Sequence, residues 1–123
     1  MTTARPADFD DEDFCYVTTT GRRSGQPHTI EIWFAADGDT VYLLSGGGDR
    51  ADWVRNLRAD PRVGLRIADQ DWAARARIVT DADDDGRARR LLAAKYQDWH
   101  EGKPLSGWAQ TALPVAIEVV SRS

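Results

Sequence analysis

Two short segments combine glycine with arginine at the ends of β-like stretches. They read Gly21-Arg22-Arg23-Ser24-Gly25-Gln26 and Ser45-Gly46-Gly47-Gly48-Asp49-Arg50. Glycine lets main-chain N–H groups approach a phosphate closely, and the guanidinium groups of Arg22, Arg23 and Arg50 can each donate two hydrogen bonds to its oxygens. The two segments therefore predict an anion pocket, and a phosphorylated cofactor is the first hypothesis for its ligand.

The size and composition of the chain predict one folded domain. At 123 residues it is long enough for a single core, and 41% of its residues are hydrophobic, including five Trp. No apolar stretch approaches the length of a membrane span, and Met1 is followed by polar and acidic residues rather than by a signal peptide. We therefore expect a cytoplasmic protein that makes no use of a membrane.

Cysteine and histidine are too few for a framework of disulfides or metals. Cys15 is the only cysteine, so no disulfide can form within the chain. With two distant histidines, His28 and His100, the sequence predicts no metal site. Cys15 itself is typical of a small buried hydrophobe in a strand.

Negative charge is concentrated at the start of the chain. Residues 1–13 carry five carboxylates against Arg5 alone, a local charge of −4 that equals the net charge of the whole chain. This pattern predicts an acidic flexible tail over 1–13, followed by a single cofactor-binding domain over 14–123. Because the other arginines are interspersed with carboxylates and form no basic stripe, nucleic-acid binding is not expected.

Alternating and β-branched stretches predict a protein that is mainly β (α+β). Two helices are expected, one after Asp49 as its N-cap and running to about residue 58, and one over about 83–100. The order of elements indicates a small antiparallel barrel, closed or partly closed, with two flanking helices. Its expected strands, about six in number, lie near 14–20, 28–35, 41–45, 63–68, 72–80 and 113–120.

The second glycine segment also satisfies a dinucleotide-binding fingerprint. Gly46-x-Gly48-x-x-Ala51 follows a strand and precedes a helix, and Asp69 lies about twenty residues further on. That fingerprint belongs to the first strand of a parallel, doubly wound sheet. Here two antiparallel strands precede it and an alternating strand follows it, so the context argues against a Rossmann domain.

Three motifs in order resemble those of the deazaflavin-dependent nitroreductase family. They are TTTGRRSGQPH over 18–28, SGG over 45–47 and WVRNLRADP over 53–61. The family is a branch of the split β-barrel flavin-binding superfamily and uses coenzyme F420, an 8-hydroxy-5-deazaflavin with a phosphodiester and a polyglutamate tail. The resemblance spans residues 15–120 and implies an antiparallel split β-barrel that binds F420.

The resemblance also implies roles for individual residues. The turn would hold the phosphate and tail, the glycine segment would line the deazaflavin with main-chain N–H groups, and Trp53 and Asn56 would lie beside the ring. Gly46 stands where relatives often carry lysine, and Arg50 and Arg55 are the candidate substitutes for that cation. The residues expected to bind the cofactor are Arg22, Arg23, Ser24, Gln26, His28, Ser45, Gly46, Gly47, Gly48, Arg50, Trp53 and Asn56.

The activity implied by the resemblance is hydride transfer from reduced F420 to an electron-poor small molecule, such as a quinone, a nitro compound or an activated alkene. Such a cofactor performs the chemistry itself, so no side-chain nucleophile is needed. Glu31 stands where relatives often have proline, and it is either a pocket residue or an exposed carboxylate facing Arg66, Arg75 or Arg77. The candidate residues for the substrate pocket are Glu31, Tyr96, Trp99 and Trp108.

Alternatives stay open at this stage for both the ligand and the residues. FMN is the second candidate cofactor, and a protein that binds or sequesters F420 without turnover is a third hypothesis. The turn over 21–25 is also typical of a simple hairpin, Trp53 of a core anchor, and Tyr96, Trp99 and Trp108 of a helix packed on a barrel. The sequence does not determine the electron acceptor or the oligomeric state.

Overall fold

The computed structural model describes residues 4–122, which form one curled antiparallel sheet with helices packed against it. Within these residues the sheet has seven strands in the order β2-β1-β5-β6-β7-β4-β3. The strands are β1 (Cys15–Thr20), β2 (Pro27–Ile32), β3 (Ala35–Asp37), β4 (Thr40–Ser45), β5 (Arg62–Ile67), β6 (Gln70–Ile78) and β7 (Leu113–Arg122), and the α-helices are α1 (Asp52–Ala59), α2 (Ala82–Gln97) and α3 (Gly107–Thr111). This half-barrel is consistent with the split-barrel fold, with seven strands where about six were expected.

A smaller cluster packs Tyr42 and Leu44 of β4 against Leu92 of α2, and the main core lies on the opposite face of the sheet, the face that carries Val41 and Leu43. Alternate residues point into it, so that Val63, Leu65 and Ile67 of β5 are buried while Arg66 between them is exposed. In β6 the buried Ala74 and the exposed Arg75 follow the same alternation, which the sequence predicted. Burial of this apolar face is the main force that closes the sheet on itself. Cys15 belongs to the core as expected, and burial raises the pKa of its thiol to about 12.

The additional strand arises because the stretch expected as one strand over 28–35 is interrupted at Trp33 and Phe34. Before the interruption Ile32 pairs with Cys15 of β1, and after it Ala35 pairs with Tyr42 of β4. One stretch of chain thus supplies both terminal strands of the sheet. The interruption is stabilised by side chains: the Phe34 N–H donates to Tyr96 Oη (3.0 Å), and the Phe34 carbonyl accepts from Lys95 Nζ (2.9 Å).

The helices differ from expectation mainly at their ends. Asp81 caps α2 by accepting a hydrogen bond from the Asp84 N–H (3.0 Å), in keeping with the predicted cluster of carboxylates at this helix start. Asp49 does not cap α1, because Gly48–Arg50 forms a separate 3-10 turn and α1 begins at Asp52. The short α3, capped by Ser106, was not predicted.

The described part of the acidic segment, residues 4–13, contacts the barrel where the sequence predicted a solvated tail. Pro6 is buried in a 3-10 turn, and the Phe9 ring meets Trp72 edge to face with ring centroids 6.0 Å apart. Asp10 Oδ1 accepts from the Ala36 N–H (2.8 Å). The carboxylates dominate the composition of this segment, and its few apolar residues dominate its packing. In the part of the chain that the structure describes, no helix is long and apolar enough to cross a membrane.

Candidate functional site

The turn between β1 and β2 is tight and internally bonded. The Gly21 N–H donates to the Gln26 carbonyl and the Gly25 N–H to the Gly21 carbonyl, each at 2.8 Å. A Cβ on Gly21 would lie 2.6 Å from Ser24 Oγ and 2.7 Å from His28 Nε2, so only glycine lets these two side chains close over the turn. The turn therefore brings Ser24 and His28 together, as the cofactor hypothesis requires.

Arg22 and Asn56 tie this turn to α1. Asn56 Oδ1 accepts from the Arg22 N–H (3.2 Å) and from Arg22 Nη1 (2.8 Å), and Asn56 Nδ2 donates to Thr19 Oγ1 (3.2 Å). Arg22 Nη2 also pairs with Asp52 Oδ1 at 3.2 Å. The polar atoms of Arg22 and Asn56 are thus engaged within the protein, and both residues position the turn.

A cavity of about 430 Å³ lies between the turn, β2 and α1, and we call it the turn cavity. Trp53 forms part of its wall while also packing against the core, so its role as a core anchor is confirmed and its contact with a cofactor stays a prediction. Arg23 is exposed, and within residues 4–122 it makes no hydrogen bond or ion pair. Its guanidinium group is therefore available to an anion. The lining residues are Gly21, Arg22, Arg23, Ser24, His28, Thr29, Ile30, Asp52, Trp53 and Asn56.

A second cavity, of about 570 Å³, lies between the end of β2 and the end of β4, and we call it the aromatic cleft. Trp33 is its central wall: its ring stacks on Tyr96 (centroids 4.3 Å, planes 3° apart) and meets Trp108 edge to face (5.5 Å). A Cβ on Gly46 would lie 3.9 Å from the Trp108 ring. The cleft is lined by Phe14, Glu31, Ile32, Trp33, Leu44, Gly46, Gln97 and Trp108.

Of the four candidate substrate-pocket residues, Glu31 and Trp108 line the aromatic cleft, and Tyr96 and Trp99 do not. Tyr96 lies behind Trp33, and its hydroxyl donates to the Asp13 carbonyl (2.7 Å) and accepts from the Phe34 N–H (3.0 Å). Burial raises the pKa of Tyr96 to about 12. Trp99 Nε1 donates to the Lys103 carbonyl (2.5 Å), beyond the end of α2. Tyr96 therefore supports the wall of the cleft from behind.

The glycine segment after β4 contributes less to the cavities than the sequence predicted. Ser45 is buried, and its hydroxyl donates to the Gly48 carbonyl (3.0 Å), which folds the segment on itself. Gly46 faces the aromatic cleft, whereas Gly47, Gly48 and Arg50 line neither cavity. The dinucleotide-fingerprint hypothesis is wrong, because the strand before this segment pairs antiparallel with both of its neighbours.

Sequence reasoning missed five residues of the cleft: Phe14, Ile32, Trp33, Leu44 and Gln97. Trp33 had a usable signal, since it shares the alternating face of Glu31 in the strand expected over 28–35. Phe14 and Gln97 had none, because they come from the chain before β1 and from the end of α2. Among residues 4–122, no group of three or more His, Cys, Asp or Glu side chains could hold a metal ion.

Solved structures with the same fold define the class of the barrel. A conserved hypothetical protein of Mycobacterium tuberculosis superposes with a TM-score of 0.74 at 23% identity, over 100% of this chain and 82% of that chain. A protein titled F420 reductase superposes with a TM-score of 0.67 at 16% identity, over 100% of this chain and 98% of that chain. These similarities establish the fold, a split-barrel arrangement.

Sequence comparison identifies the family. Residues 4–119 match the family model described as F420H(2)-dependent quinone reductase. An F420H(2)-dependent quinone reductase of Mycobacterium tuberculosis strain H37Rv is 34% identical over 112 residues, which cover 85% of this chain and 70% of that protein. The chain belongs to the F420H(2)-dependent quinone reductase family. The resemblance to deazaflavin-dependent reductases is thereby confirmed.

Proposed function

We propose that this protein binds reduced coenzyme F420 and catalyses transfer of its hydride to a quinone or another electron-poor small molecule. One observation carries the proposal beyond family membership. The turn cavity and the aromatic cleft both lie along β2, where Ile30 lines the first and Glu31 and Ile32 line the second. A ligand with an anionic tail and a planar ring fits this pair of cavities, with the tail at Arg23 and the ring toward Trp33.

The residues present fit the chemistry of such a cofactor. Arg23, Ser24 and His28 offer hydrogen-bond donors for phosphodiester and carboxylate oxygens, and Arg23 has no competing partner within residues 4–122. The Arg22 charge is balanced by Asp52, so Arg23 supplies the free positive charge. Gln26, expected to contact the tail, donates its N–H to Ser24 Oγ (3.1 Å) and thereby helps to shape the turn.

When bound, reduced F420 supplies a hydride, and the side chains provide binding, orientation and exclusion of water. Trp33 and Trp108 form two perpendicular walls that hold a planar acceptor in the cleft. Within residues 4–122, Trp108 Nε1 has no hydrogen-bond partner, so it can donate to an acceptor oxygen on which negative charge develops. The hydroxyl of Tyr96 is engaged with main-chain atoms and has no part in that role.

Two other functions remain as outcomes of the test. FMN shares the ring and phosphate chemistry that the two cavities accommodate, but the family description names F420. A sequestering protein would bind F420 and reduce nothing. The aromatic cleft favours turnover, because at about 570 Å³ it has room for an acceptor beside the cofactor ring.

The test is a pair of titrations with F420 and FMN, followed by single-turnover reduction of a neutral naphthoquinone by F420H2. We expect F420 to bind more tightly than FMN. We expect Arg23→Ala to weaken F420 binding by about 1.5–3 kcal/mol, the range for a hydrogen bond to a charged group. Arg75→Ala, on the separate surface formed with Pro61 and Glu118, is the matched control and should bind normally.

Three results would contradict parts of the proposal. If FMN binds as tightly as F420 or more tightly, the cofactor is FMN rather than F420. If F420 binds tightly but bound F420H2 is not oxidised by any quinone, nitro compound or activated alkene, the protein sequesters the cofactor. If Arg23→Ala binds F420 as tightly as wild type does, Arg23 does not contact the cofactor.

A further inference from the structure

Glu31 stands out in the aromatic cleft because of its charge. Among residues 4–122 that line the cleft, it is the only ionisable one. Three of the others are aromatic, and two of these are well exposed, Phe14 at 41% and Trp33 at 39%. A carboxylate beside exposed aromatic faces is a combination that favours a planar cation over a neutral or anionic ligand.

The Glu31 carboxylate is held in place without being neutralised. Tyr16 Oη donates to Glu31 Oε2 (2.8 Å) from the directly paired position on β1. Arg66, the partner of Tyr16 on the other side in β5, is paired with Asp71 (3.3 Å). Within residues 4–122, no lysine, arginine or histidine forms an ion pair with Glu31.

The cation nearest to the cleft wall is also balanced. Lys95 lies over the Phe34 ring (3.7 Å), donates to the Phe34 carbonyl and lies 3.7 Å from Asp10 Oδ1. Its charge is therefore directed at the interruption between β2 and β3 and at the N-terminal segment. Positive charge available to a ligand is found at Arg23 in the turn cavity, and negative charge at Glu31 in the cleft.

We propose that Glu31 determines acceptor specificity by charge, so that the aromatic cleft prefers planar aromatic cations to neutral acceptors and disfavours anions. This inference rests on the proposed function. The acceptor cation would gain a hydride as one C–H bond of the reduced cofactor breaks and one forms on the acceptor ring. The acceptor thereby receives two electrons, the proton that the oxidised cofactor releases passes to the acceptor or to solvent, and a positive charge on a substituent outside the reduced ring is unchanged.

The experiment compares three naphthoquinones that share a ring and differ in one substituent: trimethylammoniomethyl, methyl or sulfonate. With F420H2 as donor, we expect KM to rise from cation to neutral to anion, by about twofold to fivefold at each step, the size of a partly exposed ion pair. Glu31→Gln keeps an oxygen for Tyr16 and should bring the three KM values within about twofold. Glu101→Gln, at an exposed position outside the cleft, is the matched control and should keep the order.

A second measurement needs no cofactor and separates this inference from the proposed function. Quenching of Trp fluorescence reports binding near Trp33 and Trp108, and non-reducible trimethylammonium and sulfonate derivatives of naphthalene serve as probes. We expect tighter binding of the cation, with a difference that shrinks as ionic strength rises to about 0.15 M and disappears in Glu31→Gln. Failure of F420H2 to reduce any acceptor would refute the proposed function alone. An unchanged charge order in Glu31→Gln, in both measurements, would refute the role of Glu31.

Discussion

Replacement of Asn56 with alanine tests whether this residue holds the β1–β2 turn or contacts the cofactor. Asn56 is 4% exposed, and its amide joins Arg22 of the turn to Thr19 of β1. The sequence resemblance placed Asn56 beside the deazaflavin ring, whereas its polar atoms bond within the protein. We therefore expect Asn56→Ala to lower the free energy of unfolding as well as the affinity for F420.

The magnitude follows from the three hydrogen bonds that alanine removes. The bond from Arg22 Nη1 involves a charged donor and contributes about 1.5–3 kcal/mol, and the two others contribute about 0.5–1.5 kcal/mol each. Thr19, only 1% exposed, would lose the donor to its hydroxyl. The higher helix propensity of alanine returns about 0.5 kcal/mol. A net loss of about 2–5.5 kcal/mol is expected, a large share of the stability of a small domain.

The assay is urea unfolding followed by Trp fluorescence, together with an F420 titration of the same preparation. Arg58→Ala, on the exposed side of the same helix, is the control and should change the unfolding free energy by less than about 0.5 kcal/mol. If Asn56→Ala unfolds like wild type but binds F420 weakly, Asn56 is a direct ligand of the cofactor. If both stability and affinity are unchanged, the tether argument is refuted.

Two further predictions concern Tyr96 and Asp60. Tyr96→Phe should destabilise the fold by about 1–3 kcal/mol, because the Phe34 N–H loses its acceptor. Since the pKa of Tyr96 is about 12, the pH profile of kcat below about pH 10 should match that of wild type. Loss of one limb of that profile in the variant would instead make Tyr96 a proton donor. Hydrogen bonds from Arg62 lower the pKa of Asp60 to about 2, so the stability that this pair contributes is complete above about pH 4 and is lost as the pH falls to about 2. Urea unfolding of Asp60→Asn at pH 5 and pH 2.5 should show a smaller acid-induced loss than wild type, and an equal loss would contradict this assignment.

The sequence predicts the positions of the strands well where one face of a strand is exposed to solvent. The alternation of Ala74 with Arg75 correctly predicted one solvent-exposed face on β6, and the turn over 21–25 separated β1 from β2. The interruption at Trp33 and Phe34 was not predictable, because both are good strand residues. It depends on Lys95 and Tyr96, whose hydrogen bonds to Phe34 come from a helix about 60 residues away along the chain.

The candidate site shows the same division. Local motifs identified the turn, because Gly21, Ser24 and His28 act over short distances in sequence. Motifs do not distinguish side chains that face a ligand from those that bond within the protein. Arg22 and Asn56, both expected to bind the cofactor, make hydrogen bonds within the protein, and a cofactor contact by either one stays a prediction. Only the spatial arrangement of Asp52, Thr19 and the turn reveals that difference.

The interruption between β2 and β3 also determines the width of the gap in the barrel where the aromatic cleft lies. If the β3–β4 register continued without a break, Trp33 would lie opposite Leu44, and the gap in which the cleft opens would be closed by main-chain hydrogen bonds. Trp33 and Phe34 therefore form a spacer between β2 and β3. The length of this spacer, rather than the size of any side chain, determines the width of the gap in the barrel. Insertion or deletion of a residue at this spacer is expected to change the dimensions of the aromatic cleft, the proposed acceptor site, and thereby the range of acceptors.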